Sequence, residues 1–510
     1  MRQRVKITIG DICYYIFFSI LFFAKAVGLY DGQTCFKVCL VIALLFVMAK
    51  IVLTPYSIRE LTISVALILL GMIVYRNSGE KSALVFLLMM IGFKGISWKR
   101  LVQIEAVVWG VGFLGLIAAT VFGVHSDMIL VHHKLGMDII RRGLGYSHPN
   151  VLHVSYAIFA VLIINVINKS NKLKAYFAIF FGNVIIFLYS VSYTGFMLAT
   201  IFILLNIYFT YRKTLTKLEK GIIYGIYPVC VLFSIIVPVI MDPNGMVFQL
   251  INSVLNQRFY ASRIYLEQNE LTFLGKRIFC NNSFALDNSY VTLLLYGGIL
   301  LFGIISAGYI FTIHYEMKNK DWNNLGLVLS FSIAGVIEPF LFNFSFKNLS
   351  LLVIADVLWK VSNGGDRILL FSKYNKEIQL DLIAPRERLK INRKNVCTIL
   401  ILSILTGTII FFTEKVPEAV YLNEQYCDIE GEVYYIDYEK YINSKDVKFY
   451  QYNDELTGMY RLSEETILFD RERNAVGICC ISFMLLYFGL CVRKYFRIRQ
   501  KLLSNQPGGS

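Results

Sequence analysis

Apolar runs about as long as a bilayer is thick recur through most of the chain, separated by polar stretches that are mostly short. They centre on Phe18, Ala43, Leu67, Leu87, Gly112, Phe159, Ile179, Ala199, Val231, Leu301, Ser332, Val353, Ile404 and Phe483. A helix gains roughly 1.5 Å per residue, so about 20 apolar residues cross the hydrocarbon layer. The pattern predicts an all-α polytopic integral membrane protein with about 14 transmembrane helices. The run near Leu84–Phe93 is short for a span. The first run, from about Ile7 to Tyr30, is followed by no small-residue cleavage site and is expected to remain as a span.

The polar stretches orient these spans. Lys and Arg accumulate in cytoplasmic loops. Placing Arg2, Arg4 and Lys6 inside puts roughly 30 of the 50 Lys and Arg residues in inner segments, including 360–394 and the tail after 493. Both termini are then cytoplasmic. Three long segments fall outside: 125–150, 241–288 and an acidic, tyrosine-rich stretch, 414–473. The short turn Ser190–Gly195 also faces out. The expected organisation is a transmembrane domain over 1–370 with outer loops 125–150 and 241–288, and a basic cytoplasmic linker over 371–395. An extra transmembrane pair over 396–492 then flanks a small extracytoplasmic insert, and a basic tail covers 493–510. Within the second outer loop, apolar residues of Val247–Arg258 recur at helical spacing, which predicts an amphipathic helix on the outer leaflet.

Composition agrees with this class. Of 510 residues, 56% are hydrophobic and 17% charged, more apolar surface than a soluble protein of this size can hide. A net charge of +15 would suggest nucleic acid in a soluble protein. Here it belongs to membrane faces, and no nucleic-acid partner is expected. The ten cysteines include no CxxC pair, and most lie within apolar runs. Cys280 and Cys427 lie outside them, and whether they form a bridge cannot be read from sequence.

Candidate chemistry gathers on the outer side. Arg141, Arg142, His148 and Asn150 crowd one short run, with Pro149 suited to the first turn of a helix. Of the two arginines, Arg141 suits an anchor to lipid headgroups and Arg142 the site. Arg258 follows an apolar helical face on the side where positive charge is disfavoured, and guanidinium groups grip phosphate oxygens bidentately. Four of the six histidines (His125, His132, His133, His148) share the first outer loop, but at no standard ligand spacing, so no metal or other cofactor is expected. Asp287, Asn288 and Ser289 open a span; they suit a helix cap, and Asp287 also suits a general base. Asp11, Glu105, Glu338 and Asp356 fall inside apolar runs and should face the bundle interior, paired.

Three motifs in order, each on the outer face, resemble the bacterial O-antigen polymerase and ligase superfamily, specifically its capsule and exopolysaccharide polymerases. They are Arg142 to Asn150, Asn256-Gln257-Arg258 with the stretch Tyr265–Gly275, and Asp287 to Gly298. The likeness covers about 1–370. It implies a glycosyltransferase that joins undecaprenyl-diphosphate-linked oligosaccharides at the outer face of the plasma membrane, inverting the sugar carbon without a metal. It implies diphosphate binding by Arg258, Arg142 and Arg263. Acceptor activation would fall to Asp287 or His148, and substrate positioning to Asn150, Asn288 and Tyr290. A flippase and a chain-length regulator of the same pathway would be partners, beside the lipid bilayer. Two departures stand out: many ligases of the superfamily have histidine in place of Asp287, and many members have an arginine where this chain reads Tyr193-Thr194-Gly195. The alternatives are a ligase moving finished polymer, or a flippase or other transporter of lipid-linked oligosaccharide. The tyrosines of the third outer segment (Tyr434, Tyr435, Tyr438, Tyr441, Tyr450, Tyr452, Tyr460) suit either sugar stacking or the packing of a β-rich cap.

Overall fold

The computed structural model describes residues 2–134, 137–167, 172–212, 214–279, 285–339, 347–362, 367–368, 371, 374–383, 392–428, 431–436 and 458–504. Strand β1 (Arg2–Thr8) leads into α1 (Ile9–Ala26), started by a reciprocal cap between Thr8 and Asp11. Then come α2 (Thr34–Leu53), β2 (Tyr56–Ser57), α3 (Ile58–Ser78, capped by Ser57 and Glu60), α4 (Ser82–Gly92) and α5 (Trp98–Val121). A hairpin, β3 (Ile129–Lys134) and β4 (Met137–Arg142), precedes α6 (Pro149–Val166), α7 (Lys172–Ser190), α8 (Tyr193–Tyr211), α9 (Lys217–Ile235) and α10 (Val237–Ile240). Next are α11 (Met246–Val254), α12 (Arg258–Gln268), α13 (Ser289–Asn319), α14 (Trp322–Ala334) and α15 (Ser350–Val361). The chain closes with β5 (Arg367–Ile368), β6 (Glu377–Ile383), α16 (Arg393–Thr413), β7 (Ala419–Asp428), β8 (Gly431–Ile436), β9 (Gly458–Arg461) and α17 (Glu464–Ser504).

Eleven helices among the described residues are long and apolar enough to cross a membrane: α1, α2, α3, α5, α6, α7, α8, α9 with α10, α13, α16 and α17. The other three expected positions hold shorter helices, α4, α14 and α15, of 11, 13 and 12 residues. Each reaches about half to two-thirds of the way across a bilayer. The architecture is that of a mostly helical membrane protein.

The polar segments pair by end. At one end β1 lies antiparallel to β6, and β2 to β5. At the other a five-stranded sheet runs β4-β3-β8-β7-β9, so the hairpin before α6 and the segment between α16 and α17 form one sheet. Ile129, Val131, Ile140, Val420, Ile436 and Leu462 pack its own small core. Pairing needs contact, so the two members of each pair share a side of the bundle. The acids inside apolar runs meet partners: Asp11 takes Lys50 at 3.1 Å, Glu105 accepts from Ser19 at 2.7 Å, and Asp356 takes Lys360 at 2.5 Å. Cys280 lies outside the described residues, as do Tyr438, Tyr441, Tyr450 and Tyr452.

The stretch 269–279 runs against α13. Gly298 breaks α13 with φ +77°, and the N–H groups of Ile299 and Leu300 go to the carbonyls of Thr272 (3.0 Å) and Phe273 (3.1 Å). These two N–H groups at the break are therefore satisfied rather than left in apolar surroundings. A Cβ at Gly298 would lie 2.3 Å from the backbone nitrogen of Gly275. Gly298→Ala should cost about 2 kcal/mol through strain and overpacking. Thermal unfolding of the detergent-solubilised protein measures this, and an unchanged midpoint would mean the two backbones do not meet.

Candidate functional site

Arg258 is the first residue of α12, immediately after two left-handed residues, Asn256 (φ +52°) and Gln257 (φ +66°). The sharp turn is held from α11: Phe248 packs on Phe259 with ring centroids 5.1 Å apart, and the side-chain oxygen of Asn252 accepts from the Tyr260 N–H at 2.9 Å. The guanidinium is thereby fixed and buried, with 8% exposed.

Two carboxylates meet it. Nε and Nη2 of Arg258 donate to Oδ2 of Asp287 at 3.1 and 3.0 Å, and Nη2 lies 3.5 Å from Oε1 of Glu338. Thr194, in the first turn of α8, donates its hydroxyl to the same Glu338 oxygen at 3.3 Å. Burial works against the charge on Arg258, and Glu338 and Asp287 more than offset it, so the guanidinium is held above its ordinary range. Nη1 is buried and bonds to no partner among the described residues. The Asp287 side chain is 34% exposed, which makes it the open side of the cluster.

The carboxylates are placed by the head of α13. Asn288 caps that helix, accepting from Tyr290 N–H and Val291 N–H, and its amide donates to the Val336 carbonyl at 3.1 Å. Ser289 donates its N–H to the Gly335 carbonyl at 2.8 Å and its hydroxyl to the Glu338 carbonyl. The stretch after α14 is thus tied to the residues beside Asp287. Tyr290 is fully buried and donates to the Ser332 carbonyl at 2.6 Å. Asn288 and Tyr290 frame the site from behind.

A second cluster sits where β4 meets α6. Consecutive strand residues point to opposite faces. Arg141 turns inward, 4% exposed, with Nε donating to the Ser190 carbonyl and Nη2 to the Asn150 side-chain oxygen, both at 2.7 Å. Burial lowers its pKa to about 10, against the opposing influence of Tyr193. Arg142 instead pairs with Asp127 at 2.7 Å. His148 caps α6, its Nδ1 accepting from the Asn150 N–H at 3.1 Å. Beneath them His153 bonds Ser190 (2.9 Å) and Asn183 (2.8 Å).

The turn between α7 and α8 joins the two clusters: Ser190 holds Arg141, and Thr194 holds Glu338. Val191 within it has φ +40°, a strained value for a β-branched residue. At the start of α8, a Cβ at Gly195 would lie 2.6 Å from that of His153. Of the residues expected from sequence, Arg258 and Asp287 come together directly, and His148 and Asn150 sit in the neighbouring cluster. Arg263 does not join Asp287. It donates to the Met241 carbonyl at 2.6 Å and pairs with Glu267 at 2.7 Å, fastening α12 to the end of α10. The inward arginine is Arg141, which the sequence suggests as a headgroup anchor, and Arg142 is already met by Asp127. Glu338 and Thr194 were not expected at the site. Only the placing of an acid in an apolar run hinted at the first.

Chemically, the arrangement offers a fixed cation whose Nη1 amino group has no partner among the described residues and can serve an oxyanion, beside a partly open carboxylate able to take a proton. No protein-family profile, curated protein or solved structure matches the chain.

Arg258→Met would leave two carboxylates sharing a buried pocket without their cation and should cost about 3–5 kcal/mol. The triple variant Arg258→Met, Asp287→Asn, Glu338→Gln should recover most of that loss. Chemical denaturation of the purified protein reads both. A single variant as stable as the wild type would show that the carboxylates do not depend on Arg258.

Proposed function

We propose that the chain is a membrane glycosyltransferase that polymerises undecaprenyl-diphosphate-linked oligosaccharide units at the outer face of a bacterial plasma membrane, with both termini cytoplasmic. The observation that carries this reading is the buried Arg258, its Nη1 without a partner among the described residues, set beside the partly open Asp287. A diphosphate leaving group needs a fixed cation where its charge develops, and Nη1 offers an unoccupied donor there. Asp287 accepts the proton of the acceptor hydroxyl as that oxygen attacks the sugar carbon. The carbon–oxygen bond to the diphosphate breaks, its electron pair goes to the phosphate oxygen, and the carbon inverts. The apolar face of α11, with Met246, Leu250 and Val254 exposed, suits a helix lying in the leaflet from which a lipid-linked substrate would approach. Substrate identity also rests on the resemblance of the three outer-face motifs to the polysaccharide polymerases. In the same reading Asn150, held by Arg141, orients the sugar, and His148 serves chiefly as the α6 cap.

Arg258→Ala should still insert, at reduced stability, yet produce no high-molecular-weight polysaccharide, leaving single repeat units displayed outside. Gel analysis of cell-surface polysaccharide reads this directly. A normal polymer ladder removes Arg258 from the mechanism. Finished polymer that is never attached to its acceptor would mark a ligase, and units trapped inside would mark a transporter.

A further inference from the structure

We propose that Glu338 takes up a proton when a diphosphate binds and, in its neutral form, donates that proton as a hydrogen bond to a phosphate oxygen beside Arg258. The inference rests on the proposed reading that the site receives a diphosphate.

The charge count motivates it. The groups that act on Glu338 are Arg258 from α12, Asp287 from ahead of α13 and Lys347 from ahead of α15, with the uncharged Thr194 from α8. Arg258 offsets only one of the two carboxylates, and burial lowers the Lys347 pKa to about 7, so this neighbourhood holds no surplus positive charge before any ligand arrives. Glu338 and Lys347 are 9% and 7% exposed, so little solvent is present to screen an added charge. A diphosphate brings at least two negative charges, and a buried, uncompensated anion is costly. Protonating one carboxylate on binding is the smallest change that restores balance, because like charges sharing a site cannot all stay ionised.

Geometry selects Glu338 over Asp287 for this role. Asp287 already gives Oδ2 to two N–H donors of Arg258, and it is the more exposed of the two. Glu338 meets Arg258 only at 3.5 Å, and its Oε1 takes the Thr194 hydroxyl. Oε2 is engaged by no hydrogen bond among the described residues, so it can carry the proton without breaking a contact. The carbonyl of the same residue is fixed by Ser289, which keeps the carboxyl at the Arg258 side of the pocket.

The sign follows. At low pH Glu338 is already protonated and binding is strongest. As pH rises through its titration each binding event must draw a proton from solvent, and affinity falls by up to about tenfold per pH unit. Glutamine imitates the neutral acid, so Glu338→Gln should still bind while losing this component.

The test uses full-length protein in lipid nanodiscs with farnesyl diphosphate as the probe. Calorimetric titration at about pH 8, in buffers of different ionisation enthalpy, counts protons taken up per ligand bound. The wild type should take up about one proton more than Glu338→Gln, with Glu338→Gln still binding. Equal counts overturn the inference. Should Glu338→Gln fail to fold, the infrared difference spectrum of the wild type decides. A protonated carboxylic-acid carbonyl band must appear on binding, and its absence overturns the inference. If the wild type does not bind the probe, or binds it equally well as Arg258→Ala, the functional reading fails and this inference with it. Arg258-dependent binding without proton uptake sinks the inference alone.

Discussion

A guanidinium cannot be buried at the edge of a membrane bundle unless its charge is met. Arg258 meets that demand with carboxylates from two different parts of the chain, Asp287 ahead of α13 and Glu338 beyond α14. Thr194 adds the head of α8 through the same Glu338 oxygen. One cation thus ties three otherwise separate elements to α12. The hydrogen bonds of Asn288 and Ser289 to residues 335–338 then fix how far apart the two acids stand. Removing the cation would cost more than its own hydrogen bonds are worth, because two acids would remain facing each other.

The neighbouring cluster depends on a longer-range construction. α17 grips the backbone of β4: Thr466 donates to the Asp138 carbonyl and the fully buried Arg473 to that of Ile140. β8 extends β3 on the other side. The last strand residues, Arg141 and Arg142, are presented by a sheet that residues before α6 and after α16 build jointly. Through Ser190 this sheet bears on the strained turn at Val191, and so on Thr194 and Glu338. The C-terminal helices are therefore part of the wall that positions the polar clusters.

Much of this architecture is written locally. Long apolar runs mark the eleven long helices, and caps such as Thr8, Ser57 and Asn288 mark where helices begin. Runs of similar hydropathy also cover α14 and α15, shorter helices of which the first is followed by Val336, bonded to Asn288, and the second begins at Ser350, bonded to Tyr309. Hydropathy cannot distinguish a span from a half-span packed in the interior. Arg258 and Asp287 were legible because charge outside a span is conspicuous. Arg141 and Arg142 were not, since neighbouring strand residues face opposite ways and only the register with β3 tells which turns inward. Glu338 was legible as an acid that needs a partner, but that partner is 80 residues away along the chain, at Arg258. The shared sheet joins strands about 300 residues apart, and no local pattern records such pairing.

The decisive measurement is a structure of the full-length protein in lipid, determined by electron cryomicroscopy with a polyprenyl diphosphate bound. A phosphate oxygen should lie within hydrogen-bond distance of Arg258 Nη1, with Asp287 facing the open side of the pocket. A diphosphate seated away from Arg258, or an Nη1 still turned from it, would remove Arg258 from diphosphate binding.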